Sequence, residues 1–266
     1  MTRNALYNWL TRPLAGLVAA CALVAAHPTD ALVGGASSDA AMARRVVMIT
    51  GARGNICTGA ALAPDLILTA AHCAVPATTL TVRDMHPARA TRTHAVRSTA
   101  VHPNYDVKSF ANSRATADVA LLKLATPLAD SLRTPLGGRV PTPGERFIIA
   151  GIGATSSGTG AGLGTARAAE LVTVGKPSTL QFRLADPAGN GGARAGLGAC
   201  DGDSGGPVFE RTGDRLQIVG VISWSTGAAL SAGCGGLTGV TPLVRYRAWI
   251  ENAAGTLGVT LTPPAR

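Results

Sequence analysis

Short runs of apolar, often β-branched residues recur along the chain, each cut off after five to nine residues by glycine, proline, serine or asparagine. Arg44–Thr50 (RRVVMIT), Asp65–Ala70 (DLILTA), Asp118–Leu124 (DVALLKL), Arg146–Ile152 (RFIIAGI), Glu170–Val174 (ELVTV) and Leu216–Trp224 (LQIVGVISW) are of this kind. Runs this short match strand lengths, and turn-forming residues between them favour an all-β barrel or sandwich over alternating strands and helices. One segment, Leu243–Ala254 (LVRYRAWIENAA), has helical spacing, which would place Val244, Ala248, Trp249 and Ala253 toward one face. With 266 residues, 46% of them hydrophobic, the chain has ample material for one large domain or two small ones. The Pro- and Gly-rich stretch Ala125–Gly144 divides it near the middle and reads as a linker, and Thr155–Gly164 and Gly189–Gly198 read as loops.

The N-terminus has the order of an export signal. Arg3 and Arg12 precede the apolar Pro13–Ala26, and His27–Ala31 supplies small residues for cleavage after Ala31, or alternatively after Ala26. The apolar segment is shorter than the ~20 residues of a spanning helix, so stable membrane insertion after processing is not expected. Signal peptidase is the implied processing partner. Val18–Cys21 (VAAC) also resembles a loose lipoprotein signal, a second reading in which Cys21 anchors an envelope form. The expected location is outside the cytoplasm, periplasmic or extracellular.

Loss of residues 1–31 removes Arg3, Arg12 and Asp30, leaving 22 basic and 14 acidic residues, a formal +8. The arginines are scattered and lack interleaved aromatics, which argues against nucleic-acid binding and for solubility or adherence to an anionic envelope. Four cysteines remain beyond residue 31: Cys57, Cys73, Cys200 and Cys234. In an exported chain an even number favours two disulfides, and spacing alone leaves all three pairings open. Metal-ligand spacing is absent, and neither a metal nor a cofactor is expected.

Ala199–Phe209 (ACDGDSGGPVF) crowds Asp201, Asp203 and Ser204 among glycines. Gly202–Gly206 fits the G-x-S-x-G pattern of α/β-hydrolases, but that fold places its catalytic histidine after the serine. The five histidines lie at 27, 72, 86, 94 and 102, and none follows Ser204. A nucleophilic serine therefore needs an upstream base. His72 is the best candidate, following an apolar run and flanked by alanines and Cys73; His86, His94 and His102 sit in polar, loop-like company and read as surface residues. Asp118, at the start of an apolar run, is the best carboxylate to orient that histidine.

In the order His, Asp, Ser, the motifs LTAAHC (Leu68–Cys73), DVALLKL (Asp118–Leu124) and GDSGGPV (Gly202–Val208) resemble the trypsin/chymotrypsin-like serine endopeptidases. Lesser matches are LVGG (Leu32–Gly35), VHPNY (Val101–Tyr105), GIG (Gly151–Gly153), ISWS (Ile222–Ser225) and Trp249-Ile250, so the resemblance covers nearly all of residues 32–254. It implies two six-stranded antiparallel β-barrels with a C-terminal helix. The implied layout is a signal peptide over 1–31 and a peptidase domain over 32–254, followed by a tail over 255–266. Within the domain the first barrel would span about 32–128, the linker 129–143, the second barrel 144–242 and the helix 243–254.

The resemblance also implies roles. His72 would be general base and then acid, Asp118 would orient it, Ser204 would attack the peptide carbonyl, and the Gly202 and Ser204 amides would form the oxyanion hole. Cys57 would pair with Cys73 and Cys200 with Cys234. A freed α-amino group on Leu32 would pair with Asp203 and order the site. No Lys or Arg precedes Leu32, so release by signal peptidase, without a stored zymogen, is the expected activation. The primary pocket would be lined by Gly198, Ala199, Ser223, Trp224, Ser225 and Gly239. Gly198 stands where Arg/Lys-cleaving relatives carry aspartate, which favours uncharged substrate side chains, and Asp201 is expected to be an exposed charge. Substrates would be proteins or peptides. The rival reading is a catalytically silent binding protein on the same fold.

Overall fold

The computed structural model describes residues 32–261, apart from 77, 78, 87, 89 and 113. The export signal and the Cys21 anchor expected from the sequence lie outside the described residues. Among the described residues no helix is long and apolar enough to cross a membrane.

The chain begins with the short β1 (Ala36–Ser37) and the single-turn α1 (Ala40–Ala43), which Asp39 caps by accepting the Met42 amide. Six strands and a second single turn follow: β2 (Val46–Gly51), β3 (Ile56–Ala63), β4 (Leu66–Thr69), α2 (Ala71–Ala74), β5 (Leu80–Asp84), β6 (Thr93–Val101) and, after α3 (Val107–Ala111), β7 (Ala120–Leu124). They close a barrel in the order β2-β3-β4-β7-β6-β5. Six more strands follow the crossing segment: β8 (Arg146–Gly151), β9 (Arg167–Val174), β10 (Phe182–Ala185), β11 (Pro207–Thr212), β12 (Arg215–Ser225) and β13 (Leu237–Pro242). Pairing of β8 with both β9 and β11 closes the second barrel in the equivalent order β8-β9-β10-β13-β12-β11. The fold is thus two closed six-stranded antiparallel barrels of one connectivity, followed by α4 (Arg247–Thr256).

Strand periodicity explains why several segments read as unbroken apolar runs. In β4, Leu66 and Leu68 enter the core between the barrels, while Ile67 points into the first barrel beside Val47, Ile49, Val82 and Leu122. In β12, Ile218 and Val221 join the inter-barrel core, whereas Val219 and Ile222 pack inside the second barrel with Phe147, Phe182 and Val240. Both faces are buried at these positions, so apolar residues run without alternation through them.

Three placements differ from the sequence-based expectation. Residues 32–37 do not belong with the first barrel: Leu32 is fully buried in the second barrel's core, and β1 pairs with β9. The C-terminal helix buries Tyr246, Ile250 and Ala254, while Ala248 is exposed. Trp249 and Ala253 do pack against the inter-barrel core, so the buried face is centred on Ile250 and Ala254 rather than on Ala248, while Val244 falls in a separate 3₁₀ turn, Leu243–Arg245, ahead of α4. His94 is buried in β6, where its Nδ1 lies 3.0 Å from Thr126 Oγ1, rather than at the surface.

Candidate active site

β4 ends at Thr69 and the chain turns at once into α2, whose second residue is His72. The Cys57–Cys73 disulfide ties this turn back to β3. Asp118 lies just ahead of β7, the neighbour of β4, and is only 1% exposed. Strand pairing therefore delivers the two residues to each other across 46 positions of sequence.

The Asp118 carboxylate accepts three hydrogen bonds. The His72 backbone amide donates to Oδ1 at 2.9 Å, His72 Nδ1 donates to Oδ2 at 2.9 Å, and the Ser223 hydroxyl donates to the same Oδ2 at 2.5 Å. A carboxylate oxygen that accepts at Nδ1 places a proton there, and in the neutral ring this leaves the lone pair on Nε2. Phe110 of α3 stacks on the imidazole with ring centroids 4.5 Å apart and planes 15° apart. The Tyr105 phenol, behind Phe110, is pushed up to about 12, first by burial and then by the charges of Asp118 and Asp106, so it stays protonated.

Ser204 lies in the loop between Cys200 and β11, against the same turn. The Ser204 carbonyl accepts the Thr58 amide at 2.8 Å and is 3.6 Å from Cys73 Sγ, which in turn is 3.7 Å from His72 Nε2. Among the described residues no hydrogen bond joins the Ser204 hydroxyl to His72; such bonds commonly tighten only when substrate arrives.

Around Ser204 the loop's carbonyls are held. Ala154 N–H donates to the Asp201 carbonyl at 2.8 Å, Asp203 N–H to the Cys200 carbonyl at 3.0 Å, and Gly206 N–H to the Asp203 carbonyl at 2.9 Å. Among the described residues the Gly202 and Ser204 amides donate to nothing. Each belongs to a peptide plane whose carbonyl is held, so planarity aims its N–H the opposite way. Gly202 has φ +94°, a left-handed backbone that glycine adopts without strain. At Gly205 a Cβ would sit 2.4 Å from the Thr58 carbonyl oxygen, so only glycine lets the barrels close here.

Asp203 is fully buried. Gly153 N–H donates to its Oδ1 at 2.8 Å and Cys200 N–H to its Oδ2 at 2.9 Å. Burial nonetheless pushes its carboxyl up to about 7; those two amides and the Arg167 charge oppose the rise, and Asp201 adds to it. Asp201 is exposed and accepts the Gly158 amide at 3.1 Å, tethering the glycine-rich loop 155–164 beside the serine.

The residues expected to line the primary pocket fall close together. Trp224 and Ser225 of β12 pair with Gly239 and Thr238 of β13, and the Ala199 amide donates to Thr238 Oγ1 at 3.0 Å. The Cys200–Cys234 disulfide closes this region. A Cβ on Gly239 would lie 1.9 Å from the Trp224 indole, and one on Gly198 would lie 2.9 Å from Gly235 Cα. Beside them a cleft of about 270 Å³ opens between Phe110, Arg114 and Thr116 on one side and Leu180, Gln181 and Trp224 on the other. A second hollow of about 460 Å³, lined by Arg53, Asn55, Val75 and Pro76, lies across His72.

Sequence reasoning missed three contributors. Ser223 is expected from its position only as a pocket wall, yet it sits at the bulge where two residues of β12 oppose Gly239, and its hydroxyl reaches Asp118. Phe110 lies in the polar stretch before Asp118, where nothing local marks it. Thr58 is discernible only as the lone hydroxyl in the small, apolar run of β3.

The trypsin family model matches residues 32–250. A trypsin of Sarcophaga bullata is 29% identical over 267 residues, covering 89% of this chain and 95% of the relative. Trypsin epsilon of Drosophila erecta is 30% identical over 216 residues, 75% of this chain and 78% of the relative. A trypsin-like protease of Streptomyces glaucescens is 32% identical over 250 residues, covering 88% and 86%. With that family model spanning most of its length and both barrels closed around the His72–Asp118 pair, the chain belongs to the trypsin family of serine-type endopeptidases.

Proposed function

We propose that His72, Asp118 and Ser204 form the triad of this endopeptidase, with the Gly202 and Ser204 amides as its oxyanion hole. In this reading the Ser204 hydroxyl attacks a peptide carbonyl while His72 Nε2 takes its proton. Asp118 holds the imidazole by Nδ1 and balances the charge that appears on it. The two amides stabilise the tetrahedral oxyanion; His72 then gives its proton to the leaving amine, and an acyl-enzyme remains. Water repeats the sequence and releases the acid. The observation carrying this reading is the His72–Asp118 pair beside a serine loop that leaves the Gly202 and Ser204 amides without an acceptor among the described residues.

Substrates are proteins or peptides. Gly198 brings no carboxylate to the pocket base, which favours uncharged side chains over lysine or arginine. Two disulfides support export to an oxidising compartment, periplasmic or extracellular. Signal peptidase cutting after Ala31 would free Leu32, and its ammonium would give buried Asp203 the counter-charge that its backbone donors do not supply.

The test is labelling of exported wild-type and Ser204→Ala protein with a fluorophosphonate probe, with the N-terminus read by mass spectrometry. Labelling of the wild type alone, on a chain beginning at Leu32, is the expected result. An unlabelled wild type that begins at Leu32 would reject the triad and promote a silent binding protein. Full labelling of a longer chain would reject the Leu32 pairing.

A further inference from the structure

We propose that Thr58 is a positioning residue for the serine loop, a clamp from the first barrel that presets the two free amides; this rests on the oxyanion-hole reading above. Thr58 is fully buried in β3, a strand otherwise built of small or apolar residues (ICTGAALA). A hydroxyl there loses its hydration and is tolerated only if bonded. Its bonds leave its own barrel. Oγ1 donates to the Gly202 carbonyl at 2.8 Å and accepts the Ile152 amide at 3.2 Å, both in the second barrel. Its backbone amide donates to the Ser204 carbonyl at 2.8 Å, and its own carbonyl accepts the Thr69 hydroxyl at 2.8 Å.

One residue thus grips the carbonyls on both sides of Asp203. Three further grips come from the segment after β8, in consecutive order. Ile152 N–H reaches the loop through the Thr58 hydroxyl, Gly153 N–H bonds Asp203 Oδ1, and Ala154 N–H bonds the Asp201 carbonyl. Without the Thr58 hydroxyl, that series of three successive amides has a gap at its first member, and the Gly202–Asp203 peptide, left with only the Asp203 amide's bond to the Cys200 carbonyl, can tilt about it. Rotation there alters the torsions linking the planes that carry the Gly202 and Ser204 N–H groups, so the two donors stop converging. Because those donors act on a charge present only in the transition state, their misalignment lowers kcat more than it weakens substrate binding.

Thr58→Val keeps the shape and removes the hydroxyl; Thr58→Ser keeps the hydroxyl. With a chromogenic peptide substrate, and enzyme concentration fixed by active-site titration, kcat of Thr58→Val is expected to fall about tenfold. KM is expected to stay within about twofold, and Thr58→Ser should recover most of the rate. A structural role alone would lower the titratable fraction and the melting temperature but leave kcat per titrated site unchanged, and that outcome overturns the proposal. If Thr58→Val does not fold, Thr58→Ala removes the same hydroxyl and is read by the same criteria. Failure of wild-type protein to titrate would reject the triad itself, a result separate from an unaffected Thr58 variant.

Discussion

The Ser223 hydroxyl and the His72 imidazole donate to the same oxygen of Asp118, Oδ2, from opposite barrels. Ser223 reaches it because β12 bulges at that point, and His72 because α2 turns immediately after β4. A carboxylate held from two sides cannot swing away from the histidine while, in the proposed mechanism, charge builds on the ring. Ser223→Ala leaves the pocket wall in place and removes one charge-assisted bond of about 1.5 kcal/mol or more. The expected outcome is a loss of about tenfold in kcat with KM little changed. Steady-state kinetics check this, and an unchanged kcat would show that the His72 contacts alone fix Asp118.

Asp203 makes stability depend on pH in a stated direction. Its folded carboxyl is raised from 3.8 to about 7, mainly by burial. Between those values the folded chain keeps a proton that the unfolded chain has released. Its contribution is therefore fully present below about pH 4 and declines as pH rises to about 7, by roughly 4 kcal/mol at most. Asp203→Asn abolishes the titration with almost no change in shape. In a chain extended before Leu32, the unfolding free energy of wild type minus Asp203→Asn should fall across this window. A flat difference would mean that another charge holds Asp203 ionised. In a chain starting at Leu32, flatness is the expected result of the proposed pairing, in which the free ammonium would supply that charge.

The fold and the chemistry were legible to different depths. Strand runs and the turn residues between them point to an all-β chain, because strand length and punctuation are local properties. The absence of any histidine after Ser204 is enough to exclude the α/β-hydrolase layout, since chain order is visible in the residues themselves. Closure of two barrels came only from family resemblance, since it depends on pairings such as β5 with β2 that no local pattern records. In the C-terminal helix the expected Trp249 and Ala253 do pack against the core, but its deepest positions are Ile250 and Ala254, because spacing alone does not say which flank of an apolar stripe lies innermost. His94 was misjudged because polar sequence neighbours say nothing of which side of β6 a residue faces. Thr58 bonds Gly202 across 144 positions and Ser223 bonds Asp118 across 105, and separations of that size leave no mark in a motif.

Phe110 lies flat against the His72 imidazole, which in the proposed mechanism becomes positively charged. An aromatic face beside a cation is worth about 0.5–1 kcal/mol, and the ring also restricts rotation of His72. Phe110→Ala is therefore expected to lower kcat by about two- to fivefold. The same change enlarges the cleft facing Leu180 and Trp224, so KM for substrates with bulky side chains there should shift separately. Phe110→Tyr keeps the stack and should keep kcat. Equal kcat for the alanine variant would leave Phe110 only as a wall of the cleft.

Gly198 limits what can be engineered into the primary pocket. The bare Cα packs against Gly235, whose Cα lies 2.9 Å from the place a Cβ would occupy and whose N lies 3.4 Å from it. Gly198 also anchors the N-terminal segment, since its carbonyl accepts the Val33 amide at 3.1 Å. Gly198→Asp should therefore not simply transfer specificity to lysine or arginine. The new side chain displaces the Gly235 backbone, an overpacking cost of roughly 1–3 kcal/mol, and adds a carboxylate with no partner until substrate binds. The expected outcome is a lower melting temperature and lower kcat/KM on every peptide nitroanilide, with no preference for lysine or arginine over leucine or phenylalanine. Strong cleavage after basic residues at an unchanged melting temperature would show that Gly235 yields without cost.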